Sequence, residues 1–231
     1  MYGNNPVRKQ ESTPDGKLWV QEVFYSIQGE GPRAGEPAVF IRLAGCNLRC
    51  YWCDTEFESG TTHLSPEALV EQVENLTTES GPSLVVLTGG EPFRQDIREL
   101  VEQLGTQGYT VQVETNGTLS WDSFPWWATE IIVSPKSGTI HPQIRRNAAA
   151  WKYIIGANDP CGSSGIPCLS TQVPDQEGMI AAPSGCSPVY VQPRDDHEEA
   201  ANKANTQHVV KLAMAKGYRV SIQMHKILEV E

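Results

Sequence analysis

The chain has 231 residues, of which 39% are hydrophobic and 20% charged, and its formal net charge is −10. This length suits one well-buried domain, and the composition is ordinary for a globular protein. The acidic balance argues against a general nucleic-acid binder, which would carry a basic face. Since the sequence contains no run of about 18 apolar residues, we expect no membrane span. The N-terminus shows no apolar signal region, so we expect a cytoplasmic protein with reduced cysteines.

The first predicted elements lead into a loop with three cysteines. Residues 1–17 are polar, contain two prolines and are predicted to be a flexible lead-in. A strand rich in valine and aromatic residues is predicted over residues 18–27, and the turn-forming sequence Gln28-Gly29-Glu30-Gly31-Pro32 ends it. A second predicted strand, at residues 38–43, runs straight into the cysteine loop. Both strands therefore end in segments with polar or metal-binding side chains.

Strands and helices then alternate along the chain. Ser65 and Pro66 suit the N-cap and the first position of a helix, and apolar residues follow at helical spacing. The longest predicted helix covers residues 198–216, and Gly217 suits its C-cap. Another helix is predicted around residues 97–104, and further strands at 84–87, 109–113, 131–133, 151–155, 189–191 and 219–224.

This alternation predicts an α/β fold, a partial or irregular (β/α) barrel of about eight mostly parallel strands. Residues 18–231 are expected to form a single domain. Residues 156–187 are rich in glycine, proline and serine and show no clear period, so we expect a loop insertion there. Active sites of such barrels lie at the C-terminal strand ends, and the unusual residue clusters of this chain follow the predicted strands.

Cys46, Cys50 and Cys53 have the spacing C-x3-C-x2-C. Cysteine thiolates hold iron–sulfur clusters, and a loop of this length can present three sulfurs to three irons. No fourth cysteine follows nearby, which would leave the fourth iron open to a substrate or cofactor. Structural zinc commonly takes four ligands in two separated pairs, so zinc suits this spacing less well. The sequence therefore favours a [4Fe–4S] cluster with one open iron.

Three further cysteines, Cys161, Cys168 and Cys186, lie in the expected insertion. A second metal site is one interpretation of them. Their spacing matches no strong metal-binding template, so free thiols or local roles in the loop are favoured.

Other candidate residues each have an ordinary alternative. Gly89 and Gly90 let a ligand approach the backbone closely, although two glycines at a strand end commonly form only a turn. Arg42 can bind a substrate carboxylate in bidentate fashion, or form a surface salt bridge. Glu30 and Glu114 can then hydrogen-bond an aminopyrimidine. A hydroxyl beside the cluster, that of Thr55, can contribute to a Mg²⁺ site, or serve only the turn, and Lys136 and His225 can equally be surface residues.

The cysteine spacing, with Trp52 just before the last cysteine, resembles that of the radical S-adenosylmethionine enzymes. A larger set of segments resembles the 7-carboxy-7-deazaguanine synthase family from about residue 20 to the C-terminus, outside the insertion. These segments are Ile27-Gln28-Gly29-Glu30-Gly31, residues 40–46, Trp52-Cys53-Asp54-Thr55, Thr88-Gly89-Gly90-Glu91-Pro92, Glu114-Thr115-Asn116-Gly117, Ser134-Pro135-Lys136 and His225-Lys226.

The resemblance implies an activity. Members of that family convert 6-carboxy-5,6,7,8-tetrahydropterin to 7-carboxy-7-deazaguanine, a radical ring contraction with loss of ammonia on the route to queuosine and other deazapurines. The implied cofactors are a [4Fe–4S] cluster, S-adenosylmethionine bound to the open iron, and Mg²⁺. The chain would then be a radical carbon–nitrogen lyase.

The resemblance also implies roles for individual positions. Cys46, Cys50 and Cys53 would hold the cluster and Thr55 would contact Mg²⁺. The implied substrate-binding residues are Ile27, Gln28, Gly29, Arg42, Thr88 and His225, with Arg42 and Glu30 in the catalytic site. The implied cofactor-binding residues are Gly89, Gly90, Glu91, Glu114, Ser134, Pro135, Lys136 and Gln192.

The expected partners are a small pterin substrate, a flavodoxin- or ferredoxin-type electron donor and a second copy of the chain. Neither nucleic acid nor a membrane is expected to bind. One alternative is a radical enzyme that activates a protein partner, which would share the cysteine spacing. Another is an iron–sulfur electron carrier, although such carriers usually complete the cluster with a fourth cysteine.

Overall fold

The computed structural model describes residues 5–53, 55–77, 81, 83–172 and 178–230. Asp54, residues 1–4 of the predicted lead-in and residues 173–177 of the predicted insertion lie outside this part. The strands are β1 (Leu18–Ile27), β2 (Pro37–Leu43), β3 (Thr62–Leu64), β4 (Leu84–Gly89), β5 (Thr110–Thr115), β6 (Thr129–Val133), β7 (Ala148–Ile155), β8 (Val189–Pro193) and β9 (Arg219–Val220). The α-helices are α1 (Pro66–Leu76), α2 (Arg98–Thr106), α3 (Pro142–Asn147), α4 (Glu199–Lys216) and α5 (Met224–Leu228).

All nine strands of the described chain belong to one sheet, in the order β3-β1-β2-β4-β5-β6-β7-β8-β9. Every pairing from β2 to β9 is parallel, whereas β1 is antiparallel to both β2 and β3. The sheet is open, and the predicted α/β fold with mostly parallel strands is confirmed. The antiparallel edge was not predicted. In β2 and β4, Arg42 pairs with Thr88, so the cysteine loop and the glycine turn follow neighbouring strands.

The helix ends follow from capping chemistry. The Ser65 hydroxyl accepts a hydrogen bond from the Ala68 amide at 3.3 Å, which satisfies one of the free amides of the first turn of α1. Helix α4 begins after Glu198, whose carboxylate accepts from two backbone amides of the first turn. It ends at Gly217, whose φ of +71° is the left-handed conformation that glycine adopts without strain. The predicted start of α1 and the predicted C-cap of α4 are therefore confirmed, and α4 begins one residue later than predicted.

The prediction of a strand over residues 219–224 is wrong in its extent. Only Arg219–Val220 pairs with β8. The Ser221 hydroxyl donates to Gln192 and accepts from the Gly31 amide, both at 3.0 Å. The Met224 amide donates to the Gly29 carbonyl at 3.1 Å. These bonds direct the chain toward the turn after β1, so residues 221–223 form neither strand nor helix and α5 begins at Met224.

A continuous apolar core anchors the sheet. The four apolar residues 84–87 of β4 are at most 2% exposed, as expected of a strand covered on both faces. Helices α1 and α2 bury their apolar stripes against the sheet, including Leu69 and Leu100. In the part of the chain that the structure describes, no helix has the length and apolar character needed to cross a bilayer.

Residues 5–17, predicted to be a lead-in, run beside the cysteine loop and the glycine turn. The Arg8 amide donates to the Cys46 carbonyl at 2.7 Å. The Glu11 carboxylate lies 2.9 Å from the guanidinium of Arg94, a buried residue that follows the glycine turn. These contacts place the start of the described chain against the two segments that the sequence assigns to the cofactors.

Candidate active site

A cavity of about 560 Å³ opens at the C-terminal ends of the parallel strands. Its wall includes the turn after β1, Arg42 on β2, Thr88 near the end of β4, Lys152 on β7 and Gln192 on β8. The three cysteines of the loop after β2 line the same cavity. This position is the one expected for the active site of a parallel α/β fold.

The cysteine loop and the glycine turn are locked together by their backbones. The Gly90 amide donates to the Leu43 carbonyl and the Glu91 amide to the Gly45 carbonyl, both at 3.0 Å. A Cβ atom added to Gly90 would lie 1.9 Å from the Gly45 carbonyl oxygen, far closer than two non-bonded atoms can approach. Glycine at this position therefore allows the two segments to meet.

The sulfurs of Cys46 and Cys53 each have a nearby nitrogen donor. The Leu48 amide nitrogen lies 3.4 Å from the Cys46 sulfur, and the Asn5 side-chain nitrogen lies 3.7 Å from the Cys53 sulfur. Burial raises the pKa of Cys46 well above its usual range, and the nearby Glu91 carboxylate raises it further. This thiol is therefore protonated until a metal displaces the proton.

The part of the predicted insertion that the structure describes covers the other side of the cysteine loop. Over residues 156–172 and 178–187 it contains no helix, and its only β pairing is in isolated bridges. The Thr171 hydroxyl lies 3.0 Å and the Gln172 amide nitrogen 3.4 Å from the Cys50 sulfur. The Thr171 backbone amide also donates to the Lys136 carbonyl at 3.0 Å, and its carbonyl accepts from the Tyr51 amide at 3.0 Å.

Three thiols that line one cavity match the donor set of an iron–sulfur cluster, in which separate irons bind separate thiolates. A single metal ion instead needs its ligands to converge on one point. Within the described ranges, no three His, Cys, Asp or Glu side chains converge in that way. The donor set therefore fits a [4Fe–4S] cluster.

Another part of the cavity wall holds a buried lysine between two glutamates. The Lys152 ammonium nitrogen lies 2.5 Å from Glu30 Oε2 and 2.6 Å from Glu114 Oε2. The Lys152 side chain is only 4% exposed. The formal charge of this trio is −1, so it favours a ligand that presents hydrogen-bond donors.

Four glutamine side chains donate hydrogen bonds to the outer oxygens of these two carboxylates, the Oε1 atoms that do not bind Lys152. The donors are Gln192 and Gln223 to Glu30 Oε1, both at 3.0 Å, and Gln28 (3.0 Å) and Gln112 (3.1 Å) to Glu114 Oε1. Because each outer oxygen receives two bonds, the two carboxylates have fixed orientations.

Contacts within the trio set the ionisation of Glu30 and Lys152. Burial by itself would raise the pKa of Glu30, but the Lys152 charge and the hydrogen bonds from Lys152, Gln223 and Gln192 outweigh burial and lower that pKa. Burial acts against the charge of Lys152 as well, yet Glu114 and Glu30 raise the pKa of Lys152 above its usual value. Glu30 and Lys152 are therefore charged near neutral pH.

Arg42 forms a salt bridge and also faces the cavity, so both roles that the sequence allowed for it are compatible with its position. Its Nε atom lies 2.5 Å from the Glu22 carboxylate, and its guanidinium lies 5.6 Å from the centre of the Phe24 ring. The Arg42 side chain also lines the cavity and is 24% exposed. The salt bridge therefore holds a guanidinium that remains accessible from the cavity.

Lys136 lies between the end of β6 and the cysteine loop. Its ammonium donates to the Ser134 carbonyl at 2.8 Å and to the Ser134 hydroxyl at 2.5 Å. The same nitrogen lies 5.5 Å from the centre of the Trp52 ring. Burial lowers the pKa of Lys136, and the three nearby cysteines partly oppose this effect. The predicted Ser134-Pro135-Lys136 segment thus places the Lys136 ammonium group beside the cysteine loop.

Comparisons with known proteins agree with this site. The family model "Radical SAM superfamily" matches residues 40–128, which include the cysteine loop. The 7-carboxy-7-deazaguanine synthase of Rhodospirillum rubrum is 43% identical over 236 residues, covering 100% of both chains. The chain belongs to the 7-carboxy-7-deazaguanine synthase family. The protein of the same name from Rickettsia prowazekii is 40% identical and covers 100% of this chain and 96% of that one.

The fold of this 7-carboxy-7-deazaguanine synthase family member also matches a solved structure. The crystal structure of QueE from Escherichia coli superposes with a TM-score of 0.65 and covers 90% of this chain and 94% of that one. The identity over this match is 24%, so the match supports the fold. The family resemblance predicted from the sequence is confirmed by the two full-length relatives.

Most of the residues that the sequence assigns to the site line one cavity in this family member. They are Ile27, Gln28, Glu30, Arg42, Cys46, Cys50, Cys53, Thr55, Thr88, Gly89, Gly90, Glu114, Ser134, Lys136, Gln192 and His225. Gly29, Glu91 and Pro135 do not line it. Gly29 lies directly against His225, because a Cβ atom on Gly29 would be 2.1 Å from the His225 ring nitrogen.

Glu91 is buried behind the glycine turn. Its carboxylate accepts hydrogen bonds from the Thr115 hydroxyl at 2.6 Å, the Asn116 amide at 2.7 Å and the Phe93 amide at 3.1 Å. Burial outweighs these bonds and raises the pKa of Glu91 to about 7. Glu91 therefore joins the ends of β4 and β5 rather than facing the cavity.

Sequence reasoning missed three residues of this site in particular, Lys152, Thr171 and Gln223. A signal existed for Lys152, because it is the lone charged residue within the apolar strand Ala148–Ile155. Gln223 lies in the part of the predicted strand at residues 219–224 that does not form, beyond the end of β9 at Val220. Thr171 lies in a segment without periodicity, and no local pattern connects it to Cys50.

Proposed function

We propose that this chain catalyses the radical conversion of 6-carboxy-5,6,7,8-tetrahydropterin to 7-carboxy-7-deazaguanine and ammonia. The observation that carries the proposal is that one cavity is lined by the three-cysteine loop, by Arg42 and by the Glu30–Lys152–Glu114 trio. The first group suits a cluster, the second a carboxylate, and the third the N–H groups of an aminopyrimidine.

The cofactors supply the radical chemistry, and the protein supplies placement and exclusion of water. A [4Fe–4S] cluster held by the three cysteines would, together with S-adenosylmethionine, supply the radical that starts the reaction. The glycine turn and the Lys136 segment lie beside the cysteine loop and would hold S-adenosylmethionine. Arg42 would bind the substrate carboxylate, and Glu30 and Glu114 would accept hydrogen bonds from its pyrimidine ring.

Magnesium is a further part of the proposal. Thr55 lies two positions after Cys53 in the sequence, and it lines the cavity. A hydroxyl oxygen is a suitable ligand for Mg²⁺, which prefers oxygen and keeps several waters. Removal of Mg²⁺ with a chelator is expected to slow product formation in a way that added Mg²⁺ reverses.

The proposed assembly is a cytoplasmic homodimer that receives electrons from a flavodoxin- or ferredoxin-type donor. Support for a dimer comes from the end of the sheet at β9, where Val220 is 43% exposed. The following residues Ile222, Ile227 and Leu228 are 38%, 67% and 49% exposed. Sedimentation of the purified chain tests this, since a monomer at micromolar concentration would exclude a stable dimer.

The reaction is tested with anaerobically reconstituted protein, reductant, S-adenosylmethionine, Mg²⁺ and the carboxytetrahydropterin. Release of 7-carboxy-7-deazaguanine, detected by chromatography and mass, is the expected result. Formation of 5′-deoxyadenosine without this product would show a radical enzyme with another substrate, such as a protein partner. If a protein with an intact cluster forms neither compound, the radical chemistry itself is excluded and an electron carrier becomes the better interpretation.

A further inference from the structure

The remaining hydrogen-bonding capacity of the Glu30–Lys152–Glu114 trio is arranged in a specific pattern. A carboxylate has about four acceptor positions and an ammonium has three donors. Among the described residues, each glutamate receives two bonds on Oε1 and one, from Lys152, on Oε2. Lys152 gives one bond to each glutamate. One acceptor position on each Oε2 and one donor on Lys152 therefore remain.

We propose that Lys152 is the positioning residue of the substrate pocket, holding Glu30 and Glu114 side by side as ionised acceptors for an aminopyrimidine. This inference rests on the proposed function. The trio presents acceptor, donor and acceptor. A tetrahydropterin edge made of the ring N8–H, the ring N1 and the 2-amino group presents donor, acceptor and donor, which is the complementary order.

The burial of Lys152 explains why a lysine is needed. Two carboxylates cannot both stay charged at such short range in a buried site without a cation between them. With Lys152 absent, one glutamate would take up a proton and share it with the other. The pair would then lose an acceptor, and the pocket would lose its match to the two N–H donors of the ligand.

The test measures the dissociation constant of the carboxytetrahydropterin by isothermal titration calorimetry, under anaerobic conditions, in cluster-loaded protein without reductant. The variants are K152M, which keeps the length of the side chain, and the double variant K152M/E30Q, which removes the second charge. At pH 6.5 we expect K152M to bind about 10- to 100-fold more weakly than the unmodified chain, the loss typical of charged hydrogen bonds.

The pH dependence separates positioning from a structural role. In K152M the shared proton leaves as the pH rises, so its binding should improve between pH 6.5 and 8.5. In K152M/E30Q the amide cannot hold this proton, so binding should be independent of pH in this window and tighter than in K152M at pH 6.5. The unmodified chain should show neither change, because Lys152 keeps the pair ionised.

Other titratable groups line the same cavity, and the variants that are compared must all contain them. Outside the cysteine loop they are Glu22, Arg42, Glu56, Lys136, His225 and Lys226. Because every variant keeps these groups, the difference between the K152M profile and that of the unmodified chain reports the glutamate pair.

Two results would overturn the proposal: K152M binding like the unmodified chain at every pH, or an equal loss at every pH that E30Q does not relieve. If K152M fails to fold, judged by circular dichroism and iron content, K152M/E30Q carries the test, and pH-dependent binding in that protein would contradict the proposal. A chain that binds the pterin but forms no product would refute the proposed reaction and leave this test intact.

Discussion

The hydroxyl oxygen of Thr171 lies 3.0 Å from the sulfur of Cys50, although 121 residues separate them in the chain. The same hydroxyl lies 3.2 Å from the Lys136 carbonyl. When Cys50 is a thiolate, the bond to sulfur is the charge-assisted and therefore stronger choice for the single hydroxyl proton. The insertion thus provides a hydrogen-bond donor to a proposed ligand of the cluster.

Replacement of Thr171 by valine should make the cluster harder to reduce. Hydrogen bonds to the sulfurs of a cluster stabilise the added negative charge of the reduced form. Loss of one bond of about 1 kcal/mol corresponds to a decrease on the order of 40 mV in a one-electron potential. A potentiometric titration followed by electron paramagnetic resonance measures this shift.

The matched control is Thr171→Ser, which keeps the hydroxyl and removes only a methyl group. Its potential should remain close to that of the unmodified chain. If valine and serine give the same potential, the contact between Thr171 and Cys50 does not influence the cluster, and the insertion serves only to cover the loop.

The six cysteines should divide into two groups of three when replaced. A single Cys50→Ser substitution should remove most of the bound iron, because the thiolate ligand is lost. The triple variant C161S/C168S/C186S should keep the iron and the visible absorbance of the reconstituted protein. Cys161 and Cys186 are exposed, and the Cys168 sulfur donates to the Pro160 carbonyl at 3.2 Å. Loss of iron in the triple variant would revive the second metal site that the sequence also allowed.

The order of the helices and strands and the composition of the site could be predicted from the sequence, because both depend on patterns within short segments. The spacing of Cys46, Cys50 and Cys53 is a property of one loop. The apolar run at residues 84–87 and the Ser65 cap are equally local. Because parallel strands present their ends at one edge of a sheet, placing these motifs after strands was enough to bring them into one cavity.

The partners of buried charges could not be predicted, because tertiary structure decides them. Glu30 and Lys152 are 122 positions apart, and no periodicity specifies that the turn after β1 meets β7. The end of β9 shows a related limit. Alternating residues at 219–224 are typical of a strand, but hydrogen bonds of Ser221 and Met224 to the turn after β1 take the chain elsewhere.

Arg42→Ala should weaken substrate binding without loss of the cluster. If Arg42 binds the substrate carboxylate, the loss of a charged hydrogen-bonded pair should raise KM about 10- to 100-fold. Iron content and the reductant-dependent cleavage of S-adenosylmethionine should stay near normal, since the ion-pair partner of Arg42 is Glu22 and not a residue of the cysteine loop. Loss of the cluster in this variant would instead make Arg42 a structural residue.

Glu22→Gln is the companion substitution for Arg42. Glu22 holds the guanidinium by a 2.5 Å contact and competes with any incoming carboxylate. Removal of its charge should leave KM unchanged or lower it. A KM increase as large as that of Arg42→Ala would mean that the salt bridge itself, and not the free guanidinium, supports binding.

Gly90→Ala should prevent the cysteine loop from closing against the glycine turn. The added Cβ atom would meet the Gly45 carbonyl oxygen at 1.9 Å, and this oxygen belongs to the backbone, so one of the two segments must shift. Overpacking of this kind commonly costs about 1–3 kcal/mol, and the displaced loop should bind iron poorly. Thermal melting and iron content after reconstitution measure the two effects.

Gly162→Ala is the control for Gly90→Ala, because a Cβ atom at Gly162 has no neighbour within 4 Å and its φ does not require glycine. Its effect on the free energy of unfolding should stay within about 0.5 kcal/mol, as for most surface substitutions. The comparison separates the general cost of replacing glycine from the specific clash. Should Gly90→Ala melt and load iron as Gly162→Ala does, the close contact between Gly90 and Gly45 would not be what holds the cluster loop in place.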